Sequence, residues 1–355
     1  MCSMVLHQNI ITAYIGTHTN NGASKGIYRL DFNKSYKDVD NLDLAYEVED
    51  PTYLAIDTER HIVYSTCKID NKAGVISLKY WPEQDKLNLI NYSVPEKKQP
   101  CHISICQNSQ LLLSSNYREN EILLYNTLEG IILNYPHISS SETSESSTEF
   151  IDDSNFYFSI FSYDKKYIFS THLGLDKLIV YELNHNSLIE KPELNYTFPL
   201  GTGPKNIAYF NSKFIYILSN STSEVFVFKY TPKSEHILKN IQVKDSLPSE
   251  YEGIRCGAAI RIHPNRKYLY TSDIENNSIS IFLINPFDGT LELLNTVYCH
   301  GNCPNDFQID PSGNYIFVAN KKSNNISIFS ITQSTGNLTF LNSYDIDSPT
   351  CIEFI

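Results

Sequence analysis

The chain has no long hydrophobic run and little basic charge. None of its 355 residues belongs to a stretch approaching 18 consecutive apolar residues, so we expect no membrane-spanning helix. Residues 1–11 lack a basic segment followed by a long apolar run, which argues against a secretory signal and predicts a cytoplasmic protein. The 28 basic residues are outnumbered by 40 acidic ones, and a net charge of −12 would repel a phosphate backbone. Nucleic acid is therefore not an expected partner.

The cysteines are few for a chain of this length. Eight cysteines without an export signal predict reduced thiols rather than a disulfide framework. The segment Cys299-His300-Gly301-Asn302-Cys303 has a spacing similar to that of metal ligands, but no second Cys/His pair accompanies it. We therefore expect neither a metal site nor a cofactor.

What the sequence does contain is a repeat. Charged residues make up only 19% of the chain and 25 residues are tyrosine, a composition suited to half-buried strands. The motif Pro51-Thr52-Tyr53-Leu54-Ala55-Ile56 returns at residues 100–105, 204–209, 304–309 and 349–354, with looser copies at 155–160 and 257–262. A period of about 50 residues built from short strands indicates a β-propeller.

The repeats predict an all-β, seven-bladed propeller with four antiparallel strands per blade, formed by residues 1–355 as a single domain. The predicted strands of the first two blades are 51–57, 60–66, 74–80 and 86–93, then 101–106, 110–115, 120–126 and 129–134. The next four blades begin near Asn155, Pro204, Cys256 and Pro304. The last run, 349–355, should join the N-terminal runs 10–16, 26–32 and 42–48 in the seventh blade. Such closure leaves no open sheet edge, which favours a monomer.

One segment departs from the repeat. Residues 137–150 are rich in serine and acidic side chains and show no periodicity. This composition predicts a flexible insert on the surface of the propeller.

The repeats also predict two rings of polar residues around the central channel. One ring lies where the second strand of each blade ends: Thr17, Thr66, Asn116, His172, Asn220, Asp273 and Asn320. Antiparallel pairing places it beside the residues that follow each opening proline. These are Thr52, Cys101, Lys205, Asn305 and Thr350, followed by Tyr53, His102, Asn206, Asp306 and Cys351. Polar rings at a channel mouth predict a small-molecule pocket. Asn, Asp and Thr at strand ends also commonly cap turns, and that interpretation stays open.

Several motifs resemble one known family. Tyr14-Ile15-Gly16-Thr17-His18-Thr19, followed by Gly26-Ile27-Tyr28, resembles the opening of the lactonase family, the propeller-type 6-phosphogluconolactonases. Residues 51–54, 100–102 and 116–117 are similar to its first two blades, and residues 312–313, 318–320, 335–338 and 349–351 to its last two. The resemblance implies hydrolysis of a sugar lactone, typically 6-phosphogluconolactone in the pentose phosphate pathway, without a metal or cofactor.

Some charged residues of the family are replaced in this chain. Against the family pattern, the positions usually held by His, Asp, Arg, Glu or, in one case, Asn carry Asn155, Tyr157, His172, Lys205, Asn206, Asn220, Asp273, Ile274 and Asn305. Leu173, Gly174 and Asp176 of the family's Asp-Leu-Gly-x-Asp run are retained. The scaffold therefore matches the family more closely than the expected chemistry does.

Lactone opening needs a positioned water, a proton acceptor and a donor for the carbonyl oxygen. We assign the general base to His102, alone or exchanging roles with His172. Lys205 and Arg118 would supply positive charge for an anionic substrate, and Asn116 and Asn320 would donate hydrogen bonds. The remaining predicted substrate-binding residues are Asp306, Asp273, Thr17 and Tyr53.

The residues leave three functional interpretations open. The first is a divergent hydrolase of a sugar lactone. The second is a propeller without catalysis that binds a ligand or a protein, because so many of the family's charges are lost. The third is a cyclase or isomerase of an unsaturated acid, because related propellers resemble carboxymuconate-lactonising enzymes. His102 facing Lys205 in a pocket would favour an enzyme, whereas a pocket filled by Phe156, Tyr157 and Ile274 would favour binding.

Overall fold

A computed structural model of the protein describes residues 9–20, 22–106, 110–133, 137–140, 156–184, 187–232, 234 and 237–355. Its strands form seven antiparallel sheets, which are the blades of a ring. The prediction of a seven-bladed propeller is confirmed. In the described part of the chain, no helix has the length and apolar character needed to cross a membrane.

Both ends of the chain meet in one blade. It contains β1 (Ile10–Thr17), β2 (Gly26–Asn33), β3 (Asp38–Glu47) and, as the innermost strand, β30 (Pro349–Phe354). Ala13 pairs with Phe354, and Ile15 pairs with Ile352. The predicted closure by the two termini is confirmed.

The first two blades follow along the chain. Blade one contains β4 (Leu54–Asp57), β5 (Ile62–Ile69), β6 (Lys72–Lys79) and β7 (Asn88–Glu96). Blade two contains β8 (His102–Cys106), β9 (Leu111–Asn116), β10 (Glu121–Leu128), β11 (Ile131–Ile132) and β12 (His137–Ser140). Both β11 and β12 pair with β10. Residues 137–140 of the predicted insert are thus a strand, and residues 141–150 lie outside the described residues.

The remaining blades repeat the same order of strands. Blade three contains β13 (Phe156–Phe161), β14 (Tyr167–His172), β15 (Lys177–Asn184), β16 (Ser187–Glu190) and, after one 3-10 turn at Pro192–Leu194, β17 (Tyr196–Thr197). Blade four contains β18 (Pro204–Tyr209), β19 (Phe214–Ser219), β20 (Glu224–Tyr230) and β21 (Leu238–Asp245). Blade five contains β22 (Gly257–Ile262), β23 (Tyr268–Asp273), β24 (Ser278–Ile284) and β25 (Leu291–Tyr298). Blade six contains β26 (Pro304–Ile309), β27 (Tyr315–Asn320), β28 (Asn325–Ile331) and β29 (Leu338–Asp345).

The hydrophobic core lies between neighbouring blades. The second strand of a blade is covered on both faces, and every residue of β9, β14 and β23 is buried. Outermost strands are less covered, and in β29 every residue is exposed or only partly buried. The innermost strands contact one another around the whole ring, including β26 with β30 and β30 with β4. The starts of these strands therefore surround one central channel.

The register of blade three corrects the sequence alignment. The alignment made Asn155 equivalent to Pro304, but Phe156 pairs with His172 as Pro304 pairs with Asn320. Asn155 itself lies outside the described residues. A shift of one residue exchanges the two faces of a strand, so Tyr157 rather than Phe156 occupies the position of Asn305. The alignment was wrong because this copy has no opening proline to fix its start.

Candidate functional site

A cleft of about 600 Å³ opens at one end of the central channel. The connectors that lead into blades one and two contribute Glu49, Asp50, Lys97, Lys98 and Gln99 to its wall. The starts of the innermost strands contribute Thr52, Tyr53, Cys101, Tyr157, Asn206, Ala258, Asn305, Asp306 and Thr350. The turns after the second strands contribute Asn71, Tyr117, Arg118 and Lys321, and the start of β6 contributes Lys72. The sequence predicted a pocket at this end of the channel, and the structure has one.

The ring at the ends of the second strands lies behind this wall. The Asn116 side-chain oxygen accepts the backbone N–H groups of Arg118 and Glu119 at 3.0 and 3.1 Å. Asp273 accepts the N–H of Asn276 at 2.7 Å and the hydroxyl of Ser223 at 2.5 Å. Thr17, Asn116, Asp273 and Asn320 are all buried, and none lines the cleft. In the structure, their described contacts are those of residues that hold turns and neighbouring strands.

The two histidines assigned to catalysis also lie away from the cleft wall. His102 is 2% exposed, its ring centroid is 3.7 Å from that of Phe158, and its Nδ1 accepts the Ser159 N–H at 3.4 Å. Burial and the charge of Arg261 hold the pKa of His102 well below its usual value. His172 accepts the Leu175 N–H at 3.2 Å, and burial lowers its pKa to about 4. Neither ring lines the cleft, so both catalytic assignments stay predictions.

Lys205 is nearly buried beneath the cleft wall. It is 6% exposed, and its Nζ lies 4.8 Å from the centre of the Tyr157 ring. This geometry is that of a cation–π contact, which helps to offset the loss of hydration. Tyr157 lines the cleft and its ring contacts the Lys205 ammonium group. The positive charge of Lys205 is therefore close to the cleft.

The floor of the cleft contains a carboxylate and an amide with different partners. Asp306 is 3% exposed and accepts a hydrogen bond from Arg261 Nη2 at 2.7 Å. Burial raises the pKa of Asp306, and the positive charge of Arg261 limits the rise. Asn206 is 5% exposed, and its buried side-chain oxygen has no hydrogen-bond partner among the described residues. A buried acceptor without a partner in a cleft is available to a ligand donor.

One wall of the cleft is fixed by Asp50. Its carboxylate accepts the Thr19 N–H at 2.9 Å, and it pairs with Lys68 and with His18 Nδ1, the latter at 3.3 Å. Burial would raise the pKa of Asp50, but the hydrogen bonds from His18, Lys68 and Thr19 outweigh burial and hold it well below its usual range. Asp50 is therefore an anchor for the wall, and its charge is balanced by Lys68.

The cleft is positive although the protein is negative. Among the described residues, six Lys or Arg line it against three Asp or Glu, a formal charge of +3, whereas the whole chain carries −12. Lys68 is paired with Glu49 and Asp50. Within the described part of the chain, the other five basic residues have no carboxylate within ion-pairing distance: Lys72, Lys97, Lys98, Arg118 and Lys321. Uncompensated positive charge in a cleft attracts anions.

The cysteines near the cleft are free thiols. All seven cysteines of the described residues are unpaired, and no cluster of metal-ligating side chains occurs among those residues. Cys101 lines the cleft, and its thiol donates to the Tyr157 carbonyl at 3.1 Å. Burial raises the pKa of Cys101 to about 12, so this thiol is a weak nucleophile.

Of the predicted site residues, the structure brings Tyr53, Arg118 and Asp306 together in the cleft. Sequence reasoning missed Lys97, Lys98, Gln99 and Lys321. A signal for them existed, because Lys97-Lys98-Gln99 precedes the opening proline Pro100 and Lys321 follows the ring residue Asn320. Connectors and turns at that end of the blades must reach the same channel mouth.

Comparison with known proteins places the chain and its fold in one family. The family described as Lactonase, 7-bladed beta-propeller, matches residues 12–354. The 6-phosphogluconolactonase of Bacillus subtilis (strain 168) is 28% identical over 295 residues, which are 83% of each protein. The structure of a putative 6-phosphogluconolactonase from Bacteroides fragilis has a TM-score of 0.86 and 25% identity, covering 98% of both chains. The Pseudomonas aeruginosa periplasmic gluconolactonase shares the fold, with a TM-score of 0.88, 20% identity and coverage of 98% and 99%. The chain belongs to the lactonase family of seven-bladed β-propellers.

Proposed function

We propose that the protein hydrolyses an anionic sugar lactone in this cleft, with 6-phosphogluconolactone as the candidate substrate. The observation that carries the proposal is the formal charge of +3 on the cleft wall in a chain of net charge −12. The positive side chains favour a substrate with a phosphate or carboxylate group. The Bacillus subtilis relative, a 6-phosphogluconolactonase, supports the same substrate class.

The phosphate-binding side of the cleft is proposed to be the wall of blades one and two. Lys97, Lys98 and Arg118 are exposed there and line the cleft together. Arg118 is one of the residues that the sequence assigned to an anionic substrate. Lys205 adds positive charge from behind Tyr157. If the phosphate of the lactone contacts this wall of blades one and two, the lactone ring would extend toward Asn206 and Asp306 on the floor of the cleft.

Asp306 is our preferred proton acceptor for the attacking water. Asp306 is ion-paired with Arg261, but burial raises its pKa, which makes it the stronger base; Asp50 and Glu49 are paired with Lys68 on the wall, and hydrogen bonds hold the pKa of Asp50 low. Water would add to the lactone carbonyl carbon while Asp306 takes its proton; the ring C–O bond would then break and the alkoxide would be protonated. The unpaired oxygen of Asn206 would accept a substrate hydroxyl. The earlier assignment of the base to His102 is tested by the same variants.

The test is the initial rate of hydrolysis of freshly generated 6-phosphogluconolactone, with spontaneous decay subtracted. Wild type should accelerate the reaction, Asp306→Asn should lose most of the acceleration, and His102→Gln should keep it in folded protein. Lys267→Gln on the opposite end of the blades is the matched control, since Lys267 is exposed and remote from the cleft. No acceleration by folded wild-type protein would contradict the proposal, and loss only in His102→Gln would transfer the base to His102.

A cytoplasmic location, a role in the pentose phosphate pathway and a monomeric state remain part of this proposal. They rest on the substrate class and on the closed ring of blades. One structural relative is described as periplasmic, so location does not follow from the fold.

A further inference from the structure

Lys321 is a lysine on the cleft wall that forms no ion pair with any residue the structure describes. It directly follows β27, is partly buried and lines the cleft. Its backbone N–H donates to the Cys303 carbonyl at 2.9 Å, which holds the residue against the connector into blade six. Among the described residues, no carboxylate lies within ion-pairing distance of its Nζ. The amine is therefore reachable from solvent but is not neutralised.

Partial burial favours the unprotonated form of Lys321. Burial is the largest cause and lowers the pKa of Lys321; the ammonium groups of Lys205 and Lys322 also lower it, but by less than Cys303 and Asp50 shift it. Cys303 and Asp50 act in the opposite direction. The charge of Asp50 is already engaged by Lys68 and His18. A lysine in such surroundings holds a larger share of free amine than an exposed lysine does, and the free amine is a nucleophile.

We propose that Lys321 is a nucleophilic amine that forms a reversible imine with anionic aldehydes entering the cleft. The anionic group of such a ligand would meet Lys97, Lys98 and Arg118 on the same cleft. The aldehyde would then be presented to the wall that carries Lys321. This activity does not depend on lactone hydrolysis, because an aldehyde has no ring ester to open.

The covalent step needs no further reactant. The lone pair of Nζ attacks the aldehyde carbon, a C–N bond forms, and the carbonyl π electrons move to oxygen. Proton transfer from nitrogen to oxygen gives a carbinolamine. Loss of that oxygen as water leaves the C=N bond, and addition of water reverses the reaction.

The wild-type protein allows a direct test with pyridoxal 5′-phosphate, a phosphorylated aldehyde. Brief incubation at neutral pH, reduction of the imines with borohydride and peptide mapping by mass spectrometry would give a labelling rate for each lysine. Lys321 should be labelled faster than exposed Lys267, because a lowered pKa leaves a larger share of free amine at neutral pH. Its labelling should also persist to lower pH. Equal rates at Lys321 and Lys267 would overturn the proposal.

A variant separates the electrostatic cause from simple access to the cleft. Lys205→Met removes one repelling ammonium, so the pKa of Lys321 should rise and its labelling at neutral pH should slow. Lys213→Met, in an exposed turn at the opposite end of the blades, should leave the rate unchanged. Labelling of Lys321 that is unchanged in Lys205→Met would also overturn the proposal. Loss of lactone hydrolysis with intact labelling would instead contradict only the proposed function.

Discussion

The two polar rings at the channel mouth come from adjacent strands of the same blades, yet their side chains have different partners. In the ring at the strand ends, Asn116 and Asp273 are buried and hydrogen-bonded to the turns that follow them. In the ring at the strand starts, Asp306 and Asn206 line the cleft, and the side-chain oxygen of Asn206 has no partner in the part of the chain that the structure describes. Polar residues on adjacent strands therefore differ in their access to the cleft. Of these two rings, the one at the strand starts contributes Asp306 and Asn206 to the cleft, whereas Asn116, Asp273 and Asn320 of the other ring do not line it.

The sharpest test of the difference between the two rings replaces one carboxylate in each ring by an amide. Asp306→Asn should lower kcat for lactone hydrolysis by about a hundredfold or more, because the proposed proton acceptor is lost. Asp273→Asn should leave kcat per folded molecule unchanged and lower the free energy of unfolding by about 1–3 kcal/mol, since it weakens the bonds to Ser223 and Asn276. Rates and urea unfolding of both variants would be compared. A rate loss in Asp273→Asn alone would reverse the roles of the rings.

Removing positive charge from the cleft wall of blades one and two should give the next largest effect on activity. Replacement of Lys97, Lys98 and Arg118 by Gln should lower kcat/KM for the phosphorylated lactone about tenfold at low salt, with a smaller loss at high salt. A control with the same change in net charge replaces Lys165, Lys213 and Lys267, which are exposed in turns at the other end of the blades. Equal losses in the two triple variants would show that net charge, and not the cleft, attracts the substrate.

Substitution of Asn206, in the ring at the strand starts, should have a smaller effect on activity. Asn206→Ala should raise KM about fivefold with little change in kcat, as expected for one hydrogen bond to the substrate. Asn320→Ala is the matched variant in the other ring, because its side-chain oxygen is also unpaired but does not line the cleft. It should change the thermal unfolding temperature and leave KM unaltered. Steady-state kinetics on both variants would decide, and an unchanged KM in Asn206→Ala would remove Asn206 from the site.

The pH dependence of stability tests a buried carboxyl group, that of Glu96, which is bonded to Asn116 in the ring at the strand ends. Glu96 is 3% exposed and bonded to Asn116; burial raises its pKa from 4.5 to about 8. The folded state therefore holds the proton more tightly than the unfolded state does. The stabilising effect is complete below about pH 4.5 and is lost as the pH rises through about 8. Glu96→Gln should be less pH-sensitive in that range and more stable than wild type at pH 9.

Thermal unfolding of both proteins from pH 5 to pH 9 would measure this effect. Glu353→Gln provides a comparison in the channel, because burial also raises the pKa of Glu353, to about 7. If the unfolding temperatures of wild type and Glu96→Gln change with pH in the same way, the Glu96 carboxyl group does not titrate between pH 5 and pH 9 in the folded protein.

The fold could be predicted because the repeat carries several independent signals. The opening prolines Pro51, Pro100, Pro204, Pro304 and Pro349 mark the innermost strands. The unmatched runs at the two ends then fix the closing blade. Blade three was misaligned by one residue because its start has no proline, and a strand register cannot be read from apolar residues that occupy both faces, as in Phe156-Tyr157-Phe158.

The site could be predicted only in its position. Equivalent residues of a repeat reach the same face, which placed Tyr53 and Asp306 correctly at the channel mouth. Whether such a side chain reaches the cleft or is covered depends on contacts with other side chains, which a repeat does not encode. His102 occupies the position of Asp306 in its own blade, but it packs against Phe158 and is covered. The lysines of the connectors were missed because connectors are not part of the repeated motif.

The measurement that tests the account most directly compares two fresh lactones with wild-type protein. The kcat/KM values for 6-phosphogluconolactone and for unphosphorylated gluconolactone would be determined at low and high salt, with spontaneous hydrolysis subtracted. The account predicts faster turnover of the phosphorylated lactone, with a ratio that falls as salt screens Lys97, Lys98 and Arg118. A ratio near one at both salt concentrations, or no acceleration of either lactone, would contradict it.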